Sequence, residues 1–116
     1  MIAEGLRLAE AYGVDTAKIA RALAPGYAGS NLLPVLLERM IARDFAPRGY
    51  ARQALKDLEM LSDAAGARHL SMPMAAQALT LFRLLVAQGK SELDGAAIVT
   101  LYPQPAEATT EATATA

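Results

Sequence analysis

At 116 residues with 53% hydrophobic side chains, the chain has material for one compact core. Eleven basic against twelve acidic residues leave a formal charge of -1 with no block of like sign, so the electrostatic footprint of a dedicated nucleic-acid binder is missing and no nucleic-acid partner is expected. There is no cysteine, which excludes disulfides, thiolate catalysis and sulfur-ligated metals and fits a reducing, cytoplasmic setting.

The chain opens on an amphipathic pattern, with Ile2, Leu6, Ala9 and Gly13 at three-to-four spacing and Glu4, Arg7 and Glu10 between them. That spacing predicts a helix ending near Gly13, and its charges rule out a secretory signal. No capping residue precedes it, so the helix is expected to continue from further upstream. Asp15 then caps a second helix with Ile19, Ala20 and Leu23 as its stripe, and Pro25-Gly26 stops it. Ser30 or Asn31 caps a third, with Pro34 tolerated in its first turn and Leu33, Leu36, Leu37, Met40 and Ile41 facing inward.

Asp44 to Gly49 (DFAPRG) reads as a connection, because Pro47 and Gly49 resist regular helix. The strongest pattern comes next: Ala51, Ala54, Leu55, Leu58, Leu61, Ser62 and Ala65 form one stripe between Tyr50 and a stop at Gly66. Ser71 and Pro73 open a fifth helix carried by Met74, Ala78, Leu81, Leu85 and Val86 and ended by Gly89. Ser91 or Asp94 caps a last one through Ile98 and Leu101. Pro103 closes the fold. Residues 103–116, PQPAEATTEATATA, have almost no large apolar side chains to offset their ordering entropy and are expected to form a disordered tail. No segment alternates with period two, so the expectation is an all-α domain of about six helices over residues 1–102. The longest apolar runs, Leu84 to Ala87 and Ala96 to Val99, are far short of the roughly 20 residues that cross a bilayer, so no membrane partner is expected.

Little in this pattern carries chemistry by itself. His69 is the sole histidine and has no acid at ligand spacing, so it reads as a loop or helix-end residue rather than a metal ligand, and no metal site is expected. GYAGS, Gly26 to Ser30, lacks the lysine and preceding strand of a phosphate loop. Asp15 to Met40 can be drawn as a helix-turn-helix, yet NLLPVLLERM offers leucines where base edges need polar side chains. Within QALKDLEML, Gln53 to Leu61, Lys56 and Asp57 stand side by side. Adjacent helical residues point about 100° apart, so they are not the i,i+4 pair that supports a solvated face. Gln53, Lys56, Met60 and Asp63 instead line one flank of the apolar stripe, where charge is ordinarily just solvated.

Four stretches nevertheless carry a resemblance: AEGLRLAEAYGVD (Ala3 to Asp15), MIARDFAPRGY (Met40 to Tyr50), LKDLEMLSD (Leu55 to Asp63) and MPMAAQALTLFRLLVAQG with its downstream LDGAAI (Met72 to Ile98). In this order and spacing the chain resembles the C-terminal helical domain of the 3-hydroxyisobutyrate dehydrogenase-like, or β-hydroxyacid dehydrogenase, enzymes, a fold of the 6-phosphogluconate dehydrogenase C-terminal-like type. The resemblance implies an NAD- or NADP-dependent oxidoreductase acting on a small 3-hydroxy acid or its semialdehyde, with the site in a cleft between a Rossmann domain and the helical domain, and a homo-oligomer.

It also implies that Lys56 faces the cleft near cofactor and substrate while Asp57 holds the local geometry, which makes these two the candidate cofactor-binding residues. The family's catalytic lysine lies in a motif of the type GxxGxGxxxKxxNN. Neither that motif nor GxGxxG occurs in the chain, so no catalytic residue is assigned here and no turnover is expected from it alone. The family commonly has PGF before the KDL helix. Pro47-Arg48-Gly49-Tyr50 inserts an arginine and shifts the aromatic by one position. A non-catalytic helical dimerisation module is the alternative reading.

Overall fold

The computed structural model describes residues 1–105; residues 106–116 of the expected tail lie outside the described residues. Among the described residues every regular element is helical, and the only strand-like feature is an isolated antiparallel bridge between Tyr50 and Asp94. The all-α expectation therefore holds. The chain divides into two compact units, Met1–Leu37 with the segment from Tyr102, and Glu38–Leu101.

In the first unit, α1 (Ile2–Ala11) buries Ala3 and Leu6 and has no side-chain cap at its start. It ends as expected at Gly13, whose φ of 70° lies in the left-handed region that glycine occupies without steric penalty. Gly13 N donates to Glu10 O and Val14 N to Ala9 O, the paired bonds of a Schellman motif. Asp15 caps as anticipated, its carboxylate accepting from Ala17 N at 3.1 Å. The capped segment is not one regular helix but a 3-10 turn, Thr16–Lys18, continued by a short α2 (Ile19–Leu23). Gly29 passes so close to the end of α2 that a Cβ there would sit 2.4 Å from Ala24 O, so only glycine fits. Of the two capping candidates for α3 (Leu32–Ala42), Ser30 supplies the oxygen, which accepts from Leu33 N at 3.0 Å. The segment at Tyr102 is fastened to α1 twice: Arg7 Nε donates to Tyr102 O at 3.1 Å, and the Tyr102 hydroxyl donates to Glu4 Oε1 at 3.0 Å. Burial, and then the Glu4 carboxylate, push the Tyr102 phenol up.

The second unit is built on α4 (Ala51–Ala67), α5 (Pro73–Ala87) and a 3-10 helix, Gly95–Leu101. Its core centres on Ala51, Leu85 and Ala97, with Phe45, Phe82, Leu93, Ile98 and Leu101 packed around them. Two of the three central residues are alanine, which lets α4 and the 3-10 helix come close to α5.

Several sequence expectations are corrected. Gly66 does not stop α4; the helix passes through it to Ala67, and His69 adopts φ 54° and takes the C-terminal position, with Leu70 N bonded back to Ala65 O. Arg43 does the same after α3, at φ 52°. The stop requires a left-handed residue, and tertiary placement has put two non-glycine residues there. Met74 and Ile41 are exposed rather than inward, while Leu79, not singled out from the pattern, is buried. The last helix is 3-10 rather than α.

Candidate functional site

Gln53 opens the α4 helix rather than joining a polar flank: its Oε1 accepts from Tyr50 N at 3.1 Å, satisfying an amide just outside the first turn. One turn further on, Lys56 and Asp57 project into solvent with side chains 67% and 73% exposed. Although neighbours on a helix diverge, the long Lys56 side chain reaches across, and its Nζ lies 3.6 Å from Asp57 Oδ1. An ion pair this exposed contributes little to stability.

The inserted residue is accommodated without disturbing α4. Arg48 folds back over its own loop, with its guanidinium on Asp44 at 2.8 Å. That hydrogen bond, with one from Ala46 N, holds the Asp44 carboxyl below its ordinary value. The displaced aromatic, Tyr50, lies under Arg52, whose guanidinium carbon is 4.5 Å from the ring centroid and whose Nε is 2.9 Å from Glu92 Oε1. Tyr50 is thus engaged at the base of α4.

The most constrained polar group is Asp94, at 2% exposure the only buried charged residue among those described. Its Oδ1 accepts from Arg48 N at 3.0 Å and Gly49 N at 3.2 Å; its Oδ2 accepts from Ala96 N at 3.0 Å and faces Arg39 at 3.4 Å. Burial alone would raise this carboxyl, but the three backbone donors and the Arg39 charge outweigh it and hold the group below its ordinary value. Sequence reasoning offers Ser91 or Asp94 as the cap, of which Asp94 is the one that accepts from Ala96 N, and it misses Asp94 as a tie. A DG pair after a leucine signals the cap, whereas nothing local signals partners at positions 39, 48 and 49.

Two grooves stand out among the described residues. One, of about 220 Å³, lies between the far end of α4 and the start of α5, lined by Leu58, Leu61, Ala65, Leu70, Met72 and Ala76. The other, about 630 Å³ and more open, lies between α2 and the start of α3, beside Arg21, Ser30 and Asn31. Neither is lined by Lys56 or Asp57, so the candidate residues stand on an open helix face. Among the described residues no cluster of acidic or histidine side chains is arranged to hold a metal, and no helix is long and apolar enough to cross a membrane. His69, at the C-terminal stop of α4, is a helix-end residue.

The family described as NAD-binding of NADP-dependent 3-hydroxyisobutyrate dehydrogenase matches residues 1–102. The chain is 37% identical over 98 residues to the 2-hydroxy-3-oxopropionate reductase of Escherichia coli, covering 84% of this chain and 34% of that protein. It is 38% identical over 92 residues to a probable 3-hydroxyisobutyrate dehydrogenase-like protein 3, mitochondrial, of Arabidopsis thaliana, covering 79% and 27% respectively. The crystal structure of 3-hydroxyisobutyrate dehydrogenase from Salmonella typhimurium superposes with a TM-score of 0.81 at 23% identity, over 87% of this chain and 35% of that one, a likeness of fold. The chain therefore spans about a third of the length of the curated relatives it matches.

Proposed function

The chain belongs to the 3-hydroxyisobutyrate dehydrogenase family, and on that premise we propose that it is the helical, cleft-forming part of an NAD- or NADP-dependent oxidoreductase. Its substrate is a small 3-hydroxy acid or the matching semialdehyde. The relationship to the 2-hydroxy-3-oxopropionate reductase of Escherichia coli supports this class.

The observation that carries the reading is the KDL element on an open face: an ammonium held by one weak, exposed partner at 3.6 Å, on a helix whose start is tied down by backbone hydrogen bonds to Ser91 and Leu93. Such an ammonium attracts a carboxylate of the substrate or a phosphate of the cofactor, and Asp57 keeps it near one place until the ligand arrives. NAD(P) supplies the hydride acceptor or donor when bound. Lys56 and Asp57 offer it one charged contact. The Gly-rich phosphate cradle and the proton-transferring lysine motif are not among these 116 residues, so the chain alone gives no turnover. The lack of cysteine supports a cytoplasmic setting.

The test mixes the 116-residue chain with the separately produced nucleotide-binding part of the Escherichia coli reductase. NADH- or NADPH-dependent reduction of tartronate or methylmalonate semialdehyde is expected from the mixture and from neither part alone. Turnover by the chain alone sinks the proposal.

A second reading, association between copies, is favoured by the uncovered apolar side chains near the α4–α5 connection: Leu70 is 62% exposed and Met74 71%. Self-association in sedimentation without recovered activity supports that module. Homo-oligomerisation combined with recovery supports both readings together. For DNA recognition α3 has little to offer, since Leu32 and Val35 are among the side chains it turns to solvent.

A further inference from the structure

The opening amides of α4 are not received by a side chain at its own cap. Ala51 N donates to Leu93 O at 2.8 Å and Arg52 N to Ser91 O at 3.1 Å, so two of the helix's orphan donors are satisfied by a segment forty residues further along the chain. That segment is itself locked to the residues just before the helix. Asp94 N donates to Phe45 O and Gly95 N to Gly49 O, both at 3.0 Å, and the Asp94 carboxylate takes the amides of Arg48 and Gly49.

We infer that Asp94 is a positioning residue for the KDL helix: its buried carboxylate fixes the backbone from Arg48 to Arg52, and so sets the direction in which α4 departs and the place where Lys56 meets solvent. The role assigned to Lys56 rests on the reading given above; the geometric role of Asp94 does not.

The chemistry calls for a carboxylate. Donors converge on both oxygens: two backbone amides on Oδ1, one amide and the Arg39 guanidinium on Oδ2. An asparagine of the same shape keeps one acceptor and turns an NH2 toward N–H groups, placing donor against donor. Arg39 and Arg48 are the charged groups that face the site, and Glu92, the nearest acid on the same segment, is occupied by Arg52.

Amide hydrogen exchange and residual dipolar couplings on the whole chain, wild type against Asp94→Asn, decide the matter. Exchange at Gly49, Ala51 and Arg52 is expected to speed up about tenfold or more beyond any change at Leu79 and Leu85 in α5, whose exchange follows the stability of the unit as a whole. The N–H vectors of residues 51–56 are expected to reorient relative to those of α5. Uniform acceleration throughout the unit, or unchanged vectors, overturns the proposal. If Asp94→Asn does not fold, acidifying the wild type protonates the same group in place: Arg48, Gly49 and Ala96 amides should shift together before α5 loses protection. A single concerted unfolding, with no such phase, overturns it equally. In the two-part activity assay, Asp94→Asn and Lys56→Ala should raise KM more than they lower kcat. If Lys56→Ala leaves KM unchanged, the reading of Lys56 fails, while the exchange and coupling data still decide the role of Asp94.

Discussion

The two ends of α4 are held on opposite terms. Its beginning is fixed by directional polar bonds: Ala51 is fully buried, its amide is taken by Leu93, and the buried Asp94 anchors the preceding turn. Its later half rests on apolar contact that is only partly made, with Met60 62% and Leu61 40% exposed and an open groove running to Gly66. Lys56 and Asp57 lie between these regimes. In the role proposed for it, Lys56 has a rigid anchor on one side and an uncommitted surface on the other.

Breaking the anchored end should have the largest effect. Asp94→Ala removes the acceptor of one buried and two part-buried amides and of the Arg39 charge, and is expected to cost about 3 kcal/mol in urea unfolding. Acid should reach the same end more gently. Because Asp94 is held below its unfolded value of about 3.9, its stabilisation is present above that pH and is lost as pH falls through the lower folded-state value. The slope of stability against pH below about 4 should therefore flatten in Asp94→Asn, as measured by urea midpoints across an acid series.

At the open end, changes should be small and can be favourable. Gly66→Ala adds a methyl that meets nothing within 4 Å, and should stabilise by about 0.5–1 kcal/mol through helix propensity. His69→Gly removes the left-handed penalty at the stop of α4 and should raise the thermal midpoint by a few degrees, an effect on the order of 1 kcal/mol. Smallest of all, Lys56→Ala should alter stability by no more than about 0.5 kcal/mol, because its partner is as exposed as it is. A large loss there would show that the boundary between the two regimes lies further along the helix.

The helices were legible in the sequence wherever period and punctuation agreed. The patterns through Leu6, through Leu33 and Leu37, and through Leu85 all lead to buried residues, and Gly13 and Gly89 terminate as glycines do. Gly66 misled because a glycine inside a helix and one after it look alike, while the true stop falls on His69, a type that takes positive φ more often than most side chains but far less readily than glycine. Ile41 and Met74 misled because periodicity marks the apolar face and not how much of it another element covers. As for the site, Lys56 and Asp57 were visible only through resemblance, since nothing in their spacing distinguishes them from a solvated pair. The ties of Asp94 to Arg48 and Gly49 cross 46 and 45 positions, beyond any local pattern.

That separation matters while the protein is being made. Residues 51–67 can wind into a helix within microseconds of leaving the ribosome, but the carbonyls of Ser91 and Leu93 that receive its first amides are synthesised seconds later. Until then the opening turn frays, and loop closure across some forty residues must await the docking of α5. The helix is born early and aimed late: the carbonyls that set its direction lie some forty residues after its first turn.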